Sequence, residues 1–192
     1  MWAARLGSQP LENWLLWESD GYPESAEVPG YRIWPLKVKG NFFGSYGGGI
    51  QNAPIPLSFL PKNLRDFYQN YRCRQSVASI EEILRDNKAG DVIQVGIGDD
   101  LARHLKVYRE QQCVQTWAEA SPVHLVELLN AVRNRILDFT LRVGKEAPAA
   151  GESSGPSTGG IDPGRVTQIF NMAIYGSANV VGTAQNSTIS LT

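Results

Sequence analysis

Apolar residues recur along PLENWLLWES at Leu11, Trp14 and Leu15, with Leu16 and Trp17 beside them. That spacing predicts a short helix with a broad buried face. A turn-rich connector with two prolines follows. YRIWPLKVKGNFFG then alternates imperfectly and is rich in aromatic side chains, as a strand is. Pro35 inside that run predicts an edge position, because proline cannot donate to a ladder. GNFFGSYGGG supplies the backbone freedom of a hairpin tip.

The pattern from Pro54 to about Val143 is mostly helical. Leu64, Phe67, Tyr68 and Tyr71 mark one helix face. Val77, Ile80, Ile83 and Leu84 mark a second, with Ser76 placed to cap it. Leu101, Leu105 and Tyr108 predict a helix starting near Asp99. CVQTWAEASP reads as a short strand or the end of a turn. The clearest element is SPVHLVELLNAVRNRILDFTLRVGKE, with Ser121 as N-cap and Pro122 at the first helical position. Leu125, Leu128, Leu129, Val132, Ile136, Phe139 and Val143 form its stripe.

Beyond it, EAPAAGESSGPSTGGIDPG has the composition of a flexible linker. From Val166 to Thr192 no residue is charged. Apolar Val166, Phe170, Met172, Ile174, Val180, Ile189 and Leu191 are spread there among small polar residues and β-formers, which predicts two or three short strands. Isolated strands are marginal in water and need a partner edge. Uncharged copies of one segment can stack on each other. The expected architecture is therefore α+β: a mainly helical globular domain over 1–145 with a small N-terminal β-hairpin, a linker over 146–164, and a separate C-terminal β-rich tail over 165–192. Phe170, Met172, Ile174, Val180, Ile189 and Leu191 are the expected self-association residues.

Composition adds bounds. The chain has 192 residues, 42% hydrophobic, with a net charge of −1, enough for one globular domain plus an appendage. No apolar run approaches the roughly 20 residues that span a bilayer, and no apolar h-region opens the chain. Cys73 and Cys113 belong to no CxxC and read as reduced thiols in a cytoplasm. The even net charge conceals a basic block of Arg32, Lys37, Lys39, Lys62, Arg65, Arg72 and Arg74 against Asp66 alone. Before it lies an acidic block of Glu12, Glu18, Asp20, Glu24 and Glu27 against Arg5. Docking of the basic block on the acidic one is the structural reading; a nucleic-acid surface is the functional one.

Candidate chemistry is sparse. His104 and His124 each stand alone, with no partner at metal-ligand spacing, so no metal or cofactor is expected. GSYGGG lacks the lysine and the spacing of a phosphate loop and reads as a hairpin tip, with a gate over a site as the alternative. Arg133, Arg135 and Asp138 interrupt the apolar pattern of the long helix. They are the candidate anion or partner contacts, set against a structural role in which they pin other segments to the helix.

The blocks LENWLLWESDGY, VPGYRIW, NAPIPLSFLP, VASIEEIL, TWAEASPVHLVELLNAVRNRILDFTLRV and IFNMAIYGSANVVGTAQNS, in that order, resemble the AbiTii domain family of bacterial abortive-infection proteins. VRNRILDF and the Tyr-Gly-Ser-Ala-Asn segment are the most specific parts. Family members carry a longer helical lead before the first block, so a shortened start is expected here. The resemblance implies defence against phage, in which an infected cell is arrested or killed. It brings no catalytic set to transfer. The expectation is a cytoplasmic, non-enzymatic module that self-associates through its tail and responds to or acts on another component, a second defence protein or a phage factor. The alternative is a toxic effector that binds or cleaves nucleic acid through the basic block and Arg133/Arg135.

Overall fold

The computed structural model describes residues 6–44, 47–87, 91–96, 105–151 and 160–176. Contacts divide the chain into two compact units. A central unit comprises Leu16–Arg133, and a terminal unit joins Met1–Leu15 to Asn134–Thr192. Among the described residues the helices are α1 (Gln9–Asp20), α2 (Lys62–Gln69), α3 (Val77–Asp86), α4 (Pro122–Glu146) and α5 (Pro163–Tyr175). The strands are β1 (Ile33–Trp34), β2 (Lys37–Gly44), β3 (Gly49–Pro54), β4 (Tyr71–Arg72), β5 (Ile93–Gly96) and β6 (Gln111–Ala120).

The central unit is built on an antiparallel sheet ordered β3-β2-β6-β5, beside a two-stranded ladder of β1 and β4. Alternation sets the faces. Val38 and Phe42 of β2 are buried on one side while Phe43 is half exposed. Pro35 has a different role from the expected one. It separates two ladders: Ile33 and Trp34 pair with Arg72 and Tyr71, and the chain re-enters a sheet only at Lys37. The strand after it is interior, flanked by β3 and β6. Missing one donor, proline ends the first ladder without burdening the second.

A bulge interrupts β2 between Gly40 and Phe42 against both neighbours. Asn41 fills it: its amide donates to Gln115 Oε1 at 3.0 Å, and its Oδ1 accepts from Asn52 N at 2.9 Å. Asn52 holds a left-handed backbone there, with φ of 55°.

Two expectations are corrected. The segment 54–143 is not helix alone, because the hairpin before it belongs to a four-stranded sheet that β5 and β6 of this segment complete. CVQTWAEA lies in a ten-residue strand whose inward positions Cys113, Thr116 and Ala118 are buried. The helix expected over 99–108 falls partly outside the described residues, and residues 105–107 have no regular structure.

The second correction is at the C-terminus, where no β-rich tail begins at residue 165. Pro163–Tyr175 is a helix. Asp162 caps it by accepting from Arg165 N at 3.1 Å, Pro163 occupies its first turn, and Gly176 ends it in the left-handed region. Its buried side chains are Val166, Ile169, Phe170, Ala173 and Ile174, the i, i+3, i+4 pattern of a helix face. Val180, Ile189 and Leu191 lie outside the described residues.

In the terminal unit, Phe170 meets the edge of Trp14 with ring centroids 6.0 Å apart. Ser8 Oγ and Thr167 Oγ1 are hydrogen-bonded at 2.9 Å. Arg165 joins Glu146 through two hydrogen bonds. No helix among the described residues is long and apolar enough to cross a membrane.

Gly40 sits where a Cβ would lie 2.7 Å from Gln115 O and 3.3 Å from Cys113 Sγ. The obstructing oxygen is backbone in the neighbouring strand, so relief requires the ladder to move. Gly40→Ala is expected to cost about 1–3 kcal/mol in urea unfolding. A change of only a few tenths would contradict this account of the β2–β6 approach.

Candidate functional site

The central unit holds a buried ion pair. Glu18, near the end of α1, has 5% exposure, and Arg32 has 0%. Arg32 Nη2 donates to Glu18 Oε2, and Nε donates to Oε1 at 3.2 Å. Tyr22 and Tyr31 hydroxyls also donate to Oε1, at 2.8 and 2.7 Å. Arg32 Nη1 donates to the carbonyls of Cys73 and Gln75 at 3.1 and 2.8 Å. The guanidinium lies 4.7 Å from the centre of the Tyr22 ring. Four of arginine's five N–H groups are thus directed at acceptors. Burial alone would push the guanidinium down, but the bonds it donates to Glu18 and the carboxylate's charge outweigh it and hold it above its usual value. Burial, with Tyr31 and Glu18 beside it, pushes the Tyr22 phenol far upward.

Arg32 positions a loop as well as a charge. Its backbone accepts from Cys73 N at 2.9 Å, and Tyr22 N donates to Arg74 O at 2.8 Å. Residues 73–75 are therefore gripped from several directions, and two of them wall a cavity of about 270 Å³. Its apolar lining is Ile80 and Ile83 from α3, Ile93 and Val95 from β5, Ala120, and Leu125 from α4. Cys73, Gln75 and Gln94 add polar groups, and Trp34 and Tyr71 add rings. Cys73 Sγ lies 3.0 Å from Gln75 Oε1, and burial pushes its thiol up. Trp34 stacks on His124, with ring centres 5.5 Å apart and planes at 19°.

The three candidate contact residues of α4 separate. Arg133 pairs with Glu81 of α3 at 3.2 Å on the exposed side of the central unit. Arg135 Nε donates to Ile174 O at 2.9 Å in the terminal unit. Asp138 accepts two bonds at 2.9 Å from Arg142 Nε, one turn on. Arg135 lies on the line of Leu128, Val132, Phe139 and Val143, all buried, whereas Ile136 is exposed. A phase count along the stripe exposes this substitution of arginine for an apolar residue.

The basic block is largely engaged. Arg32 docks on the acidic block at Glu18, and Lys39 pairs with Glu119 at 2.8 Å. Arg65 donates to the carbonyls of Leu57, Ser58 and Leu60, and Arg74 to those of Pro23, Glu24 and Ala26. These cations organise irregular backbone segments. His104 lies outside the described residues. No cluster of three or more His, Cys, Asp or Glu able to hold a metal ion occurs among the described residues.

The sequence profile of the AbiTii family matches residues 1–159, more than half of the chain. The chain belongs to the AbiTii family. AbiTii membership places it among the bacterial abortive-infection proteins of phage defence. No curated protein and no solved structure matches this AbiTii chain. The matched residues include the entire central unit with its ion pair and cavity.

Glu119 of the AbiTii chain gives the central unit an acid dependence. Burial would raise its carboxyl, but bonds from Lys39 and Trp117 outweigh that and hold it below the usual carboxylate range. A lowered folded value means stability that is present above the unfolded value of about 4.3 and lost as pH falls through the folded one. Glu119→Gln is expected to cost about 1 kcal/mol at neutral pH. The gap to the parent should narrow below about pH 4. A gap in denaturant midpoints that widens on acidification would contradict the assignment.

Proposed function

We propose that the chain is a non-enzymatic phage-defence module that acts by self-association through its terminal unit, and that assembly couples it to another component. The observation that supports this most is an apolar stripe facing solvent. Leu137 and Leu141 are each 57% exposed one turn apart on α4, with Ile136 at 41% beside them. Tyr175, at the end of α5, is also exposed. Exposed apolar side chains gathered on one face mark interaction surfaces. No residue from Val166 to Thr192 is charged, so copies of that segment do not repel one another through side-chain charge.

The expected contact changes with the fold. Phe170 and Ile174 are buried within the terminal unit, and Met172 is half-buried. The contact therefore falls to the outward face of α4.

Light scattering coupled to size exclusion tests this on the full chain, whose monomer mass is 21.1 kDa. The full chain is expected to exceed that mass at tens of micromolar. The paired change Leu137→Glu and Leu141→Glu, both at exposed positions, should return it to the monomer with unchanged helix content. A full chain that stays monomeric across that range, or an oligomer indifferent to both changes, would remove the proposal.

A further inference from the structure

We infer that the cavity of the central unit is a binding site for a small, uncharged molecule with a hydrocarbon body of about six to ten carbon atoms. The inference uses residues of the central unit alone and stands apart from assembly through the terminal unit.

Three observations carry it. First, aliphatic side chains make up most of the wall: Ile80 and Ile83 of α3, Leu125 of α4, Ile93 and Val95 of β5, and Ala120 of β6. Such a surface gains by meeting hydrocarbon in place of water. Second, the polar groups of the 73–75 wall are already engaged. Arg32 Nη1 donates to the carbonyls of Cys73 and Gln75, and Cys73 N donates to Arg32 O. Cys73 Sγ donates to Gln75 Oε1 at 3.0 Å. Trp34 also lines the cavity, but its Nε1 is buried, so the residue meets a ligand through carbon. An ordered water needs about two to four polar partners, and groups already bonded to one another supply them poorly. Third, no charged side chain lines the cavity. A phosphate or carboxylate would lose its hydration there with no counter-charge in return.

The volume sets the size. An apolar cavity of about 150 Å³ takes benzene, and this one is about 270 Å³. It therefore has room for a longer chain or a second ring. Gln75 and Gln94 are the lining residues exposed to solvent, so the mouth lies beside them. Ile80 and Leu125 are buried and form the floor. The hydrocarbon body rests on that floor, and an uncharged head group stays at the mouth in contact with water.

The test is a titration of the full chain, ¹³C-labelled at its isoleucine δ-methyl groups, with hexan-1-ol, hexane-1,6-diol, hexanoate and N-acetyl-leucinamide at neutral pH. Ile80→Val, Ile83→Val and Ile93→Val assign three signals by their disappearance. Hexan-1-ol is expected to move those signals saturably, while Ile169 and Ile174, buried in the terminal unit, stay in place. Hexanoate should bind at least roughly tenfold more weakly, because its charge has no partner. Hexane-1,6-diol should also bind roughly tenfold more weakly, because its second hydroxyl enters the apolar floor. Ile83→Trp, at a half-buried position, fills the cavity and should abolish the hexanol effect. The comparison among ligands is read on the unsubstituted chain and does not depend on that variant folding. Hexanoate or the diol binding as well as hexanol would overturn the apolar, neutral assignment. Equal movement of Ile169 and Ile174 would show general partitioning and overturn the site. Binding of N-acetyl-leucinamide but not of hexanol would give the cavity to a protein side chain and overturn the small-molecule reading. No saturable shift with hexanol up to about 5 mM would end the proposal.

Discussion

The Glu18–Arg32 pair is the constraint on which the central unit depends. Two charges removed from water are tolerable only if nearly every donor and acceptor is matched. Here the carboxylate receives two tyrosine hydroxyls as well as the guanidinium, and the guanidinium extends to two carbonyls 41 and 43 residues away. Those carbonyls belong to the turn between β4 and α3. The pair thereby fixes helix, connector and turn in one geometry. An apolar cluster in the same place would be less selective about register, because hydrophobic contact has no preferred direction.

That geometry has a consequence for chemistry. Cys73 and Gln75 become the polar wall of the cavity, while β1, paired with β4, places Trp34 on another side. The interior of the central unit thus combines a satisfied polar network and, beside it, an unmatched indole donor. A fold that spends so many groups on matching one carboxylate leaves the Trp34 donor conspicuous by contrast. The terminal unit carries the opposite kind of feature, an apolar stripe directed outward on α4.

The parts legible in the sequence were those governed by local periodicity. The α1, α3 and α4 helices follow from their stripes, and Ser76 accepts from Ser79 N at 3.1 Å as a cap should. The parts that were not legible depend on distance in the chain. Nothing local joins Glu18 to Arg32, and nothing marks Arg32 as different from Lys37 or Arg72 within its basic block. The β6 strand was legible only as a short strand or the end of a turn, because the partner that sets its length, β2, lies far earlier, with Asn41 and Gln115 meeting 74 residues apart. The α5 helix was misread because Phe170, Met172 and Ile174 mimic a period of two, while Ile169 and Ala173 complete the true helical face. Asp162-Pro163 was the available start signal. Of the three residues singled out on α4, Arg135 alone lies on the line of its buried stripe, while the side chains of Arg133 and Asp138 are exposed, and their partners lie on other segments or one turn away. Trp34 carried no signal beyond its place in an aromatic strand.

The most direct measurement is a double-mutant cycle on the buried pair, with Glu18→Gln, Arg32→Met and the two together, read by urea unfolding. If the pair organises the central unit, each single change costs about 3–5 kcal/mol, because it strands the other member in the interior. The double change then costs clearly less than the sum, with a coupling of about 1–3 kcal/mol. Single changes near zero that add without coupling would contradict the account.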